Sequence, residues 1–348
     1  MDDPSNTGTA SDPAFGGWWG WNFIHDKLTA SVNVLLLYVL ESEGSSPGRQ
    51  GFKMAVAADG TFTGTIGGGI MEHKLVEKAK QMLVEHSTKI LLMRQYHDKK
   101  KTLDQSGMIC SGSQLNAFIP LSSSATHRTG IIEAIKQSIN EGTQKIIRLS
   151  PKSIDIGDSS PQDKNFSLHF QSEEDWLYCE KLNQRPVIHI IGGGHVSLAL
   201  SELLCFIGFY SKVYDDRPEL NTMLQNFFAN EKIIIPGYEQ LGEYITDPKN
   251  DYAVIMTLGY RTDKTALKQL LNKQFFYIGL MGSEHKIETL FKELKAEGIA
   301  EALLKKVFTP VGINIYSKTA PEIAVSIAAE IIREKNRELP TGRHELLD

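Results

Sequence analysis

Cysteine is scarce, with Cys110, Cys179 and Cys205 widely separated along 348 residues. That spacing supplies neither the paired thiols of a zinc site nor an even disulfide framework, so a reducing compartment is expected. Any cysteine chemistry would rest on a single thiol. Long apolar runs are missing as well: the longest, Val32 to Leu40, is interrupted by Asn33 and is far shorter than the roughly 20 residues that span a bilayer. No membrane segment is expected. Nor is there an excess of positive charge, since 37 Lys and Arg against 42 Asp and Glu leave a formal net charge of -5. Such a balance argues against the positive field that nucleic-acid binding requires. Met1 to Ala14 is small and polar, with no basic stretch ahead of an apolar one, so no secretory signal and a cytoplasmic location are expected. No repeat of roughly 20 to 50 residues is visible, which excludes a solenoid or propeller.

What is present suffices for two cores, because hydrophobic residues make up 41% of the chain and its length exceeds that of one typical domain. Ser31 to Leu40 reads as a core strand, closed by the flexible, partly basic loop Gly44 to Gly51. Met54 to Ala58 and Thr61 to Ile66 flank Asp59-Gly60, a hairpin signal. Gly67-Gly68-Gly69 then opens an amphipathic helix over Ile70 to Glu85. Ile90 to Gln95 and Leu115 to Pro120 read as strands on either side of a loop carrying Cys110-Ser111-Gly112. A helix over Ile131 to Ile139 and a strand over Lys145 to Leu149 follow. Ser150 to Lys164, rich in Ser, Pro, Asp and Lys, reads as a loop or linker; Phe166 to Phe170 alternates like an edge strand, and a polar stretch leads to Arg185-Pro186. The fold class expected is α/β, a mixed N-terminal domain over residues 1–180 and a C-terminal Rossmann-type doubly wound parallel sheet over 181–348.

The second domain carries the sharper motif. The β-branched run Val187 to Ile191 feeds Gly192-Gly193-Gly194-His195-Val196-Ser197 and then a helical pattern. In a dinucleotide fingerprint the first glycine, here Gly192, permits the tight turn, and Gly194 permits close approach of a pyrophosphate to free amides at the helix N-terminus. Ser197 stands where the third glycine is expected. A second strand, Tyr210 to Tyr214, ends in Asp215-Asp216, roughly 20 positions on, which fits Asp215 to a ribose 2′-hydroxyl. His195 is a secondary candidate for ligand contact, with helix-start packing as the plainer reading. NAD(P) and other nucleotides are both candidates for such a site.

The blocks GSSPGRQG at 44–51, GTIGGGIMEHKLVEKA at 64–79, GGGHVSLAL at 192–200, YDDRPE at 214–219, YIGLMGS at 277–283 and TAPEIAVSIAAEII at 319–332 together resemble the XdhC/CoxI family. The resemblance implies a cofactor-handling N-terminal domain, a Rossmann domain, and a role in maturing molybdenum hydroxylases such as xanthine dehydrogenase. The cargo it implies is molybdenum cofactor (molybdopterin), bound, protected while a sulfido ligand is installed, and handed to the apo-enzyme by a maturation chaperone. A cysteine desulfurase would be the sulfur source.

Carried across by residue, the family's Cys-Gly-Gly signature falls on Cys110-Ser111-Gly112, with serine in the middle. The Cys110 thiol is thereby the candidate molybdenum ligand, since soft sulfur suits such a centre; a buried structural cysteine is the alternative. Gly67, Gly68 and Gly69 would offer amides to a pterin phosphate or oxo group, or merely turn a hairpin into a helix. Glu72 matches the family's acidic residue, or complements the helix dipole. Ser46 and Arg49 lie in the first block, Arg49 as a partner for phosphate or carboxylate. Thr319 and Glu322 have capping-box spacing. Relatives commonly carry a histidine in the loop that here reads Gly259 to Asp263, which has none. Trp18-Trp19-Gly20-Trp21 would pack against a second subunit of a homodimer or close the monomer core. An NAD(P)-dependent oxidoreductase and a nucleotide-sensing regulator stand as alternatives, the former weakened by the lack of a recognisable acid–base constellation near Gly192.

Overall fold

The computed structural model describes residues 20–337 apart from 97–111, 125, 142, 161 and 183–184. The chain divides into two units, the second starting at Arg185. The first contains α1 (Gly20–Thr29), β1 (Val34–Gly44), β2 (Lys53–Ala57), β3 (Phe62–Gly64), α2 (Gly69–Val84), β4 (Leu91–Tyr96), β5 (Gly112–Leu121), α3 (Thr126–Glu141), β6 (Lys145–Leu149), β7 (Ile154–Asp158), β8 (Phe166–Ser172) and β9 (Asp175–Leu182). β1 sits at the centre of an antiparallel sheet of order β3-β2-β1-β5-β4. Its continuous apolar run follows from cover on both faces. Leu35, Leu37 and Val39 share a core with Met71, Leu75 and Ala79 of α2, whereas Leu36, Tyr38 and Leu40 share one with α1, α3 and β9. Trp21 and Ile24 of α1 belong to that second core, so this part of the aromatic leader closes its own unit. Trp18 and Trp19 lie outside the described residues.

Two sequence expectations are corrected here. The segment read as a linker contains β7, and the polar stretch ahead of Arg185 contains β9; both belong to a second antiparallel sheet of order β7-β6-β9-β8. Alternation explains both. Ile154 of β7, and Trp176, Tyr178 and Leu182 of β9, turn inward, while the intervening polar residues give the segments a loop-like composition. β8 does lie at an edge of that sheet.

The second unit contains β10 (Val187–Ile191), α4 (His195–Phe206), β11 (Tyr210–Asp215), α5 (Asn221–Leu224), β12 (Glu231–Ile234), α6 (Leu241–Tyr244), β13 (Tyr252–Ile255), α7 (Tyr260–Leu270), β14 (Tyr277–Leu280), α8 (Glu284–Ala296), α9 (Glu301–Leu304) and α10 (Ala320–Asn336). Its strands are all parallel, in the order β12-β11-β10-β13-β14. Each face carries helices: α4 and α10 cover Ile188, Ile190 and Val254, and α7 and α8 cover Ile191, Ala253 and Ile255. This is the doubly wound arrangement expected. β12 gave no clear signal in the sequence, and β13 ends at Ile255, freeing Met256 to Leu258 as loop. Thr319 caps α10 in a full capping box with Glu322.

Candidate functional site: a Rossmann crevice and a three-loop glycine cluster

Strand order reverses its direction of growth at β10 and β13, and ligands of open parallel sheets bind in the crevice beyond the carboxyl ends at such a point. Gly192 makes the turn out of β10 with φ of 106°. A Cβ there would lie 2.5 Å from the Met256 carbonyl oxygen, so glycine is required both by backbone conformation and by the approach of the β13 loop. Gly194 differs: among the described residues a Cβ there would meet nothing within 4 Å. It borders a cavity of about 420 Å³, within the ~300–1,000 Å³ typical of small-molecule sites.

Gly194, His195 and Val196 line one side of that cavity; Arg217, Thr222, Thr257 and Met281 contribute to the rest. His195 is exposed, as the first residue of α4. Ser197 is fully buried, and its hydroxyl has no hydrogen-bond partner among the described residues. Buried hydroxyls are nearly always paired; this one has essentially no accessible surface and lies behind the cavity lining, not on it. Thr257, also in the lining, is held by Asp263. Asp263 Oδ1 accepts from the Thr257 amide at 2.9 Å and from its hydroxyl at 2.6 Å, while Asp263 Oδ2 pairs with Lys286.

Asp215, read as the ribose acceptor, is fully buried beneath the glycine turn. Its Oδ2 accepts from the Gly193 amide at 2.7 Å, and Arg217 grips both oxygens, Nε to Oδ1 at 2.8 Å and Nη2 to Oδ2 at 2.9 Å. Burial works against the charge, but the hydrogen bonds from Arg217 and Gly193 outweigh it and hold the carboxyl below its ordinary value. Arg217, a member of the YDDRPE block with no role expected from sequence, is the residue that reaches the cavity. The signal was its place two residues after the acid.

In the first unit the motif blocks converge at one end of the first sheet. A Cβ on Gly48 would lie 2.2 Å from the Ile66 carbonyl oxygen, one on Gly67 2.5 Å from the Gly48 amide, and one on Gly112 2.9 Å from the Ser46 amide. Backbones approach this closely only where side chains are absent. Ser46, 2% exposed, donates to Gln114 Oε1 at 2.9 Å, and Gln114 Nε2 donates to the Ile66 carbonyl at 3.1 Å. Gln114 thus ties the loop before β2 to the loop before α2.

Gly67, Gly68 and Gly69 all have positive φ, yet the amides beside them already serve an internal anion. Glu72 Oε2 accepts from the Ile66 amide at 2.9 Å, the Gly68 amide at 3.1 Å and the Thr65 hydroxyl at 2.6 Å. Glu72 therefore acts as a brace of this turn. Arg49 is exposed on the same cluster, bonded to the Gly44 carbonyl at 3.3 Å. Cys110 lies outside the described residues, two positions before Gly112.

A Rossmann-type unit whose glycine turn opens on a cavity, preceded by a mixed α/β unit with clustered glycine loops, defines a two-domain α/β protein. Residues 188–331 match the XdhC Rossmann domain and residues 28–96 match the XdhC and CoxI family; the chain belongs to the XdhC/CoxI family. It is 27% identical over 303 residues to the uncharacterised protein YqeB of Escherichia coli (strain K12), a match covering 86% of this chain and 43% of YqeB. It is 29% identical over 161 residues to a probable xanthine dehydrogenase subunit of Bacillus subtilis (strain 168), covering 46% of each. The matches thus span less than half the length of either curated relative. A crystal structure described as a xanthine dehydrogenase from Bacillus halodurans shares the fold, with a TM-score of 0.68 at 22% identity, covering 92% of this chain and 97% of that one.

Proposed function

We propose that this protein is an accessory factor of a xanthine dehydrogenase-type molybdenum hydroxylase, whose first unit holds molybdenum cofactor as cargo, keeps it while sulfur is installed, and delivers it. The observation that carries the reading is the convergence of three separate motif blocks through Ser46, Gly48, Gly67 and Gly112, on the loop cluster into which the segment bearing Cys110 leads. Family membership and the names of the relatives support the same direction. In this reading the Cys110 thiol supplies a soft ligand to molybdenum or its sulfur, and Arg49 offers an exposed cation to the cofactor's phosphate. Glu72 and Ser46 hold the cluster in shape without touching cargo. A cysteine desulfurase fits as sulfur source, and a homodimer as the working assembly.

The second unit takes a phosphate-bearing nucleotide at Gly194, where the cavity and a helix N-terminus meet. That cavity also supports a second reading, in which nucleotide binding regulates the first unit. The delivery role is tested by mixing cofactor-loaded protein with apo xanthine dehydrogenase-type enzyme and following substrate oxidation. Activity should appear with the wild-type protein and fall at least tenfold with Cys110→Ala. Equal activation by both proteins removes Cys110 from the cargo site, and equal activation by free cofactor alone contradicts the delivery role.

A further inference from the structure

The acid that ends the second strand of a dinucleotide fold ordinarily accepts from the ribose 2′-hydroxyl. Asp215 has no capacity left for that contact. Its Oδ1 accepts from the Arg217 amide at 3.0 Å and from Arg217 Nε at 2.8 Å; its Oδ2 accepts from the Gly193 amide at 2.7 Å and Arg217 Nη2 at 2.9 Å. Two bonds on each oxygen fill a carboxylate's lone pairs, and the side chain is 0% exposed. A hydroxyl arriving at the ribose position finds a sealed acceptor.

What it finds at the surface is the guanidinium. Arg217 is 37% exposed and lines the cavity that begins at Gly194. Its Nε edge faces Asp215 and, at 3.8 Å, Asp216; its Nη1 edge has no partner among the described residues. Holding one edge in a bidentate grip fixes the plane of the fork, which spares the ordering cost of an otherwise mobile arginine when an anion docks on the other edge. Gly194 and the α4 N-terminus, with Ser197 behind them, supply the pyrophosphate end of the same cavity. Asp216 opposes an anion at this place, and its charge is a further handle.

Resting on the reading of the second unit as a dinucleotide site, we infer that Arg217 selects a ligand phosphorylated at the ribose 2′ position, so that the cavity takes NADP(H) in preference to NAD(H). Asp215 is then a positioning residue for Arg217 and contributes nothing directly to ribose recognition.

Titration calorimetry of the full chain with NADPH and NADH, each at matched low and moderate salt, tests this. Expected is NADPH binding at least tenfold tighter than NADH, with the gap narrowing as salt rises. Arg217→Ala should weaken NADPH by about 10- to 100-fold and tighten NADH, because Asp215 is released to the 2′-hydroxyl. Arg217→Lys keeps a cation over Asp215 but loses the fork, and covers the case in which the alanine variant fails to fold; it should weaken NADPH more than NADH. Asp216→Asn should tighten NADPH and leave NADH unchanged. Equal binding of the two, or tighter NADH, overturns the 2′-phosphate assignment and leaves the dinucleotide site standing. Binding of neither by the folded wild-type chain overturns both.

Discussion

Glu72 Oε2 accepts from the Gly68 amide at 3.1 Å, so the glycine turn at the head of α2 is closed by a carboxylate of the helix it begins. An anion-binding turn read from sequence has its anion built in. Glu72→Ala removes the acceptor shared by the Ile66 and Gly68 amides and the Thr65 hydroxyl, and should cost about 1.5–3 kcal/mol, the range for hydrogen bonds to a charged group. Urea unfolding of the two proteins side by side measures it; an unchanged midpoint would mean the turn holds without its brace.

Lys53 and Glu180 form a buried ion pair at 2.6 Å, with side chains 7% and 8% exposed. Tyr38 and Tyr178 donate to the other Glu180 oxygen at 2.6 and 3.0 Å. Burial, and then the Glu180 charge, hold the Tyr38 hydroxyl protonated far above its ordinary range. Removing one partner strands a buried charge, so Lys53→Met should destabilise the first unit by about 3–5 kcal/mol, and Lys53→Met with Glu180→Gln should recover part of that. Thermal unfolding of the single and double variants decides; additive losses would show that the two do not act as a pair.

Gly192 and Gly194 separate structural from ligand effects. An added Cβ at Gly192 meets the Met256 carbonyl at 2.5 Å on a backbone with φ of 106°, whereas one at Gly194 meets nothing within 4 Å among the described residues. Gly192→Ala should lower the melting temperature by several degrees through strain. Gly194→Ala should leave it unchanged and weaken nucleotide binding, because the methyl projects into the space a phosphate must enter. Equal melting losses from both would assign Gly194 a structural role.

Because the Asp215 carboxyl titrates lower folded than free, its contribution to stability is complete above its ordinary value. It is lost as pH falls through the folded one. Acid unfolding should therefore include a component below pH of about 4 that Asp215→Asn abolishes, with the variant less stable at neutral pH. Circular dichroism from acid to neutral pH reads both. An identical acid profile for the two proteins would show that the Arg217 clamp adds nothing.

The Rossmann unit was legible because its signals are local: strand, glycines and helix follow one another within the run from Val187 to Leu200. The second sheet of the first unit was not. Ile154 and Ile156 alternate over too few residues to stand out among Ser, Pro and Asp. Glu180, buried in β9, finds its ion-pair partner in Lys53, 127 positions away. The same limit applies to the candidate sites. The spacing of Asp215 from Gly192 matched a ribose acid, but only the folded chain shows Arg217 turned back onto it. Glu72 was singled out through the family resemblance, and only the folded chain shows it accepting from the Ile66 and Gly68 amides. The convergence of Ser46, Gly67 and Gly112 depends on the β1–β5 pairing, in which Gly44 opposes Gly112.

The most direct measurement is anaerobic binding of molybdenum cofactor to the purified chain and to Cys110→Ala, read as metal content and pterin fluorescence in the protein peak after gel filtration. Stoichiometric retention by the wild-type chain, lost in the variant, is the expected result and makes the Cys110 thiol part of the cargo site. No retention by either, from folded protein, would contradict the carrier role.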